Sequence, residues 1–287
     1  MINNILCEQV SRYGNSSLNV IKNSLKEVLQ EIALCGLAKS GFFKIAAFYG
    51  GTSLRIFRDL SRCSEDLDFT LIKNIDNFDF DYYLSFVKKE FDSMDINCDI
   101  YSKQKNVDTT VESRYIRFNL KELIHDNYPE FENKIINNEL LTIKIEVEKT
   151  IIDGGKTEIK LLTYPSFAQV QTFTIETLFA SKLIAILNRN WKNRIKGRDY
   201  YDYLFYIHNN VKVNMTFLKN GLKMFNYIND ESYNISDLKA DLKNKFETID
   251  FDVALKDVLP FVNSNDLFIQ SFNKEIFVDS TDLIKEE

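Results

Sequence analysis

Apolar residues recur along the first half of the chain with two different periods. Over residues 16–39, Leu18, Ile21, Leu25, Val28, Leu29 and Ile32 follow a three-four spacing, which predicts an amphipathic helix capped by Ser16 or Ser17. Residues 43–49 form a short apolar run ending in Gly50-Gly51, and the TSLRIFRDL that follows is made of good helix formers. Strand, tight turn and a helix beginning near Thr52 or Ser53 are expected there. In SEDLDFTL the period becomes two: Leu67, Phe69 and Leu71 alternate with Asp66, Asp68 and Thr70, so a strand would bury the first set and present both carboxylates on its other face. ELLTIKIEVEKT repeats this, with Ile143, Ile145 and Val147 on one side and Lys144, Glu146 and Glu148 on the other. Further strands are expected in INCDIYS, over 115–120, and in TEIKLLTY after a Gly154-Gly155 turn, with a helix over 77–94.

Beyond Pro165 the period is helical through FTIETLFASKLIAILNR, RDYYDYLFYIHN, TFLKNGLKMFNYI and SDLKADLKNKFETI, and strand signals largely vanish. A boundary is therefore predicted near Ser166, between an α/β part with an N-terminal helix (1–165) and a helical part (166–287).

Composition narrows the class. The chain has 287 residues, 45% of them hydrophobic and 27% charged, with only 9 Gly and 3 Pro, the proportions of a chain that folds throughout. A formal charge of −6 argues against a surface that clings everywhere to nucleic acid, so any basic contact must be local. No apolar run reaches membrane-spanning length and the N-terminus lacks a signal-peptide pattern, so a cytoplasmic protein without membrane contact is expected. Cys7, Cys35, Cys63 and Cys98 lie far apart with no CxxC pair, and His125 and His208 stand away from them, which argues against zinc and histidine-based chemistry.

Two Asp on one strand face, following a glycine turn at a helix start, are suited to a metal-bound polyphosphate. Carboxylates are hard ligands for Mg²⁺, while the N–H groups of a helix start attract phosphate. Each feature alone has an ordinary meaning: Gly-Gly before a helix is a common turn, Asp-x-Asp a solvated face, and a lone Lys at a helix edge a snorkelling side chain.

Together, Gly-Gly-Thr-Ser-Leu at Gly50, then Arg62-x-Ser64-x-Asp66-Leu67-Asp68-Phe69, and later Lys182, Arg189, Arg198 and Asp199 in KLIAILNRNWKNRIKGRDYYDYL, resemble the signature blocks of the AbiEii/AbiGii toxin family of nucleotidyltransferases. These are the toxins of abortive-infection type IV toxin–antitoxin pairs. The resemblance implies an α+β protein: a polymerase-β-like nucleotidyltransferase domain with a mixed sheet, followed by a C-terminal helical domain. It implies catalytic roles for Ser64, Asp66, Asp68, Lys182 and Asp199. Nucleotide binding would fall to Gly50, Gly51, Thr52, Ser53, Arg62, Lys182, Arg189 and Arg198. Mg²⁺ or Mn²⁺ would sit on Asp66, Asp68 and a third acid from a neighbouring strand; Glu146 is chosen, with Glu148 the alternative, although this ligand is more commonly Asp.

The implied substrate is an NTP, the implied acceptor RNA, tRNA above all, and the implied partner a cognate antitoxin. The basic strip NRNWKNRIKGR, with the sole tryptophan Trp191, suits an RNA contact. Competing readings are transfer to a small molecule or a protein side chain, and a nucleotide-binding module without catalysis.

Overall fold

Ser17 opens the long helix: its hydroxyl accepts the Val20 N–H at 3.3 Å. The structure, a computed structural model, describes residues 2–13, 17–102, 110–125, 128–189, 195–229, 232–263 and 265–287; Ser16, the other expected cap, lies outside them. The first part of the chain carries helices α1 (Ile2–Tyr13), α2 (Leu18–Lys39), α3 (Gly50–Phe57), α4 (Phe80–Asp92), α5 (Leu120–Ile124) and α6 (Pro129–Glu132). Among them run strands β1 (Ala46–Tyr49), β2 (Asp66–Leu71), β3 (Asp99–Tyr101), β4 (Val111–Asn119), β5 (Leu140–Glu148), β6 (Thr157–Leu162) and β7 (Ala168–Phe173). Helices α7 (Ile175–Asn188), α8 (Gly197–His208), α9 (Met215–Met224), α10 (Ile235–Glu247), α11 (Phe251–Val258), α12 (Leu267–Gln270) and α13 (Lys274–Ser280) follow.

The strands make one seven-stranded sheet in the order β3-β4-β5-β2-β1-β7-β6. It is mixed: β1 is antiparallel to β2 and parallel to β7, β2 is parallel to β5, and β5 is antiparallel to β4. The α+β expectation with a mixed sheet and a following set of helices therefore holds.

Contacts divide the chain into two units, neither of them continuous in sequence. The first comprises Met1–Phe57, Cys63–Ile151 and Ile159–Thr172; the second comprises Arg58–Arg62, Ile152–Glu158 and Phe173–Glu287. In the first unit, Leu67 and Phe69 of β2 and Ile143, Ile145 and Val147 of β5 are fully buried, as their alternation predicts. Helix α2 packs its apolar stripe into this core and comes so close to α4 that a Cβ on Gly36 would lie 2.6 Å from Val87 Cα. The same helix buries Glu27, Gln30 and Glu31, which the apolar period did not foretell; Arg55 of α3 pairs with Glu27 at 3.0 Å and Arg12 with Glu31 at 2.8 Å.

The second unit has an aromatic core. Phe251 stacks on Phe277 with centroids 4.5 Å apart, Phe179 stacks on Tyr206 at 4.6 Å, and Tyr203 meets Phe246 at 5.0 Å. Helix α8 starts at Gly197, where a Cβ would lie 1.8 Å from the Ala254 carbonyl oxygen of α11.

Three expectations need correction. Strand β7 lies beyond Pro165, in the part read as helical because strand signals largely vanish there; its sequence AQVQTF is short and interrupted by two Gln, so it gave no apolar run. Helix α3 begins at Gly50 rather than at Thr52 or Ser53. Of the 43–49 run only Ala46–Tyr49 is strand, because Phe42–Lys44 forms a 3₁₀ turn.

Candidate active site

Strand β1 ends against Gly50, whose φ of +79° lies in the left-handed region. A Cβ there would lie 2.6 Å from Asp68 Oδ2, so only glycine lets the helix start sit directly against that carboxylate. The hydroxyls of Thr52 and Ser53, which follow Gly51, are engaged inside the protein. Thr52 Oγ1 donates to the Asp66 carbonyl, and Ser53 Oγ shares a hydrogen bond of 2.9 Å with Thr172 Oγ1. Both side chains and Gly51 are buried. What the helix start can offer an anion is therefore its backbone: the first-turn N–H groups of a helix have no intrahelical acceptors, and the dipole adds positive charge there. Ser64 is buried just before β2, its carbonyl accepting the Gln30 side-chain N–H at 3.2 Å.

On β2, Asp66 and Asp68 are half-buried on the face opposite Leu67 and Phe69. The parallel register sets Asp66 beside Lys144, Asp68 beside Glu146, and Thr70 beside Glu148. Glu146 accepts hydrogen bonds from Ser113 at 2.7 Å and from Lys144 at 2.6 Å. Glu148 accepts the Thr150 N–H at 2.7 Å. Burial alone would lower the Lys144 amine, but its hydrogen bond to Glu146 and the nearby charges of Glu146 and Asp66 raise it above its ordinary value.

Among the described residues, no group of three His, Cys, Asp or Glu side chains is drawn together closely enough to hold a metal ion. The donor set nevertheless fits a hard divalent cation. Carboxylate oxygens share one sheet face in adjacent register, and that face already gathers one positive charge, the Lys144 ammonium.

The second unit contains a different cluster. Lys182 on α7 reaches Asp199 Oδ1 and Asp202 Oδ2 of α8, both at 2.8 Å. Arg62 clamps Asp202 through two bonds of 2.6 and 2.7 Å, and Arg189 Nη1 donates to Asp199 Oδ2. Asp202 is fully buried, while Asp199 and Arg62 are each 3% exposed. Burial would raise the Asp199 carboxyl, yet Lys182 and Arg189 outweigh it and hold it well below the usual carboxylate range. Asp202 is lowered in the same way by Arg62 and Lys182. Burial opposes the charge on Lys182 too, and its two aspartates overcome that and raise its amine.

Arg198 stands apart from this cluster, with its guanidinium 4.3 Å over the Phe261 ring and 4.0 Å from Asp257. Residues 190–194 of the basic strip, Trp191 included, lie outside the described residues.

Over residues 32–273 the chain matches the family described as nucleotidyl transferase AbiEii toxin, type IV toxin–antitoxin system. It belongs to that family. The AbiEii chain is also similar to solved structures. JHP933 from Helicobacter pylori is 21% identical, with 90% of this chain and 89% of that one covered and a TM-score of 0.51. The nucleotidyltransferase toxin MenT4 from Mycobacterium tuberculosis H37Rv is 14% identical, with 99% of both chains covered and a TM-score of 0.50. Comparison with curated proteins gives no match. The AbiEii assignment makes this chain a nucleotidyltransferase toxin, and the family implies a nucleotide substrate and an antitoxin partner. No helix among the described residues is long and apolar enough to cross a membrane.

Two AbiEii residues escaped the sequence reading as site residues. Asp202 joins Arg62 to Lys182; its signal was its position three residues after Asp199, which puts both on one helix face. Lys144 was assigned only to a polar strand face, and nothing in the one-dimensional pattern shows that its neighbour across the sheet is Asp66.

Proposed function

We propose that this AbiEii protein transfers a nucleotide from an NTP to a hydroxyl of RNA, tRNA above all, and that the transfer stops growth until the cognate antitoxin intervenes, as an abortive-infection device. The observation that carries the reading is the half-buried Asp66–Asp68 face lying against a glycine-led helix start. Asp66, Asp68 and Glu146 would hold Mg²⁺ or Mn²⁺, which when bound neutralises the triphosphate and lowers the pKa of the attacking hydroxyl.

In the transfer, the acceptor oxygen bonds to the α-phosphorus, the α–β bridging P–O bond breaks, pyrophosphate leaves and the hydroxyl proton passes to solvent. The chain's own residues supply placement and charge. Backbone N–H groups from Gly50 to Ser53 would receive phosphate oxygens. Ser64 would act beside the acid pair, with its backbone tied to Gln30. Lys182 and Arg189 would present positive charge to the nucleotide, and Asp199 and Asp202 would fix that charge in place. Arg62, spent on Asp202, would contribute by holding that aspartate rather than by touching phosphate.

The test is incubation of the purified protein with Mg²⁺, each α-labelled NTP in turn and total cellular RNA, beside an Asp66→Ala control. Label in a tRNA-sized band with the parent only is the expected result. Equal labelling by Asp66→Ala would sink the assignment, and label in protein or in a small molecule would move the acceptor to that class.

A further inference from the structure

Helices α7, α8 and α10, with the residues flanking them, line a solvent-open cavity of about 410 Å³ in the second unit. That lies within the range of about 300–1,000 Å³ usual for small-molecule sites. Its wall is chemically divided. Ala185, Ile186 and Ile249 are aliphatic, while Arg189, Lys196 and Lys245 bring three cations. The one carboxylate there, Asp199, is held by Lys182 and Arg189 and is lowered as well by the charge of Lys196.

Lys245 is the informative residue. It donates to the Arg189 carbonyl oxygen at 2.9 Å and pairs with no carboxylate among the described residues. Burial lowers its amine, and no neighbouring charge is found to offset this. A chain with a formal charge of −6 has carboxylates in excess, so a half-buried lysine without one, turned to a cavity beside two more cations, is set for an anion that comes from outside.

We propose that this cavity binds a phosphorylated nucleotide, its phosphate on Lys245 and Lys196 and its ribose or base on the aliphatic wall of Ala185, Ile186 and Ile249. The need for an anion comes from the cavity; the choice of a nucleotide rests on the transfer reading. The phosphate has two possible sources, an RNA strand and a free nucleoside triphosphate, and they share the same chemistry.

Equilibrium binding in metal-free buffer separates them and needs no turnover. Fluorescence anisotropy of a labelled single-stranded oligoribonucleotide, and separately of a labelled nucleoside triphosphate, is measured for the full chain and for Lys245→Gln and Lys245→Arg over a salt series. Lys245→Gln is expected to weaken binding about tenfold and to reduce the slope of log K against log salt by about 1. Lys245→Arg, which keeps the charge and the donor, is expected to stay within about twofold. A loss confined to the oligonucleotide assigns the site to the acceptor strand, one confined to the triphosphate assigns it to the free nucleotide, and a loss of both assigns a phosphate subsite common to them. Parental affinity and salt slope in Lys245→Gln for both probes would overturn the proposal. Failure of transfer with binding intact would instead strike the proposed function and leave the cavity assignment standing.

Discussion

The molecule carries two pairs of aspartates, and their surroundings are opposite. Asp66 and Asp68 are half-buried on a strand, with Lys144 beside Asp66 across the sheet. Asp199 and Asp202 are buried on a helix, locked to Lys182, Arg62 and Arg189. Each spacing places both carboxylates on one face of its own element, two residues apart on a strand and three apart on a helix. The difference lies in burial: the helical pair is buried, the strand pair only half-buried. An ion taken fully out of water costs several kcal/mol unless it is paired, so the helical pair exists only because the chain brings its own arginines and lysine. Partial exposure relaxes that demand on the strand pair, to which the proposed function assigns a divalent cation.

The largest effect is expected from breaking the helical pair. Asp202→Ala leaves Arg62 and Lys182 buried with one aspartate fewer and should cost about 3–5 kcal/mol of stability by chemical denaturation. A loss below about 1 kcal/mol would mean that the cluster is loosely held.

Gly50→Ala acts on the strand pair. The new Cβ would press on Asp68 Oδ2 at a backbone angle that disfavours any side chain, and a displacement of the order of 1 Å should cut transfer about 10²-fold. Single-turnover assays check this, and a parental rate would separate Asp68 placement from the chemistry.

The pH dependence of stability sharpens the contrast. Asp199 and Asp202 have folded-state carboxyls held below their unfolded values, so their stabilisation is complete above about pH 4 and is lost as pH falls further, through the folded values. Lys182 is raised, so its share is complete below about pH 10.4 and is lost only above that. Their contribution should be flat from about pH 5 to 9. Below about pH 4, Asp202→Asn should lose stability less steeply than the parent in acid titrations followed by circular dichroism.

The smallest effect is expected at Lys144. Lys144→Met removes the ammonium that competes for Glu146, so Mn²⁺ binding followed by electron paramagnetic resonance should tighten about 3–10-fold, as loss of a nearby like charge implies. Unchanged affinity would show that the lysine and the metal do not compete.

Much of the strand half was legible because its signals are local. The alternation around Asp66 and Glu146 gives strands and faces, and Gly50-Gly51 gives the turn. The pairing of β2 with β5 is a long-range fact that alternation cannot carry, and with it went the position of Lys144. Thr52 and Ser53 resembled phosphate ligands by position, yet their hydroxyls serve β2 and β7, and β7 gave no apolar run to reveal itself. In the helical half Lys182, Arg189 and Asp199 were nameable from the family blocks, whereas Asp202 was not. That Arg62 belongs with Asp202, distant in sequence, required the fold.

The short segment Arg58–Arg62 and the stretch Ile152–Glu158 belong to the helical unit although both lie within the sheet-forming half of the sequence. A gene fragment encoding only residues 173–287 would carry Asp202 without its guanidinium clamp. Exchange of whole halves between related toxins by recombination at one junction would likewise part Arg62 from Asp202 unless both parents supplied compatible partners. Neither half of the sequence alone therefore carries the complete Asp202 clamp.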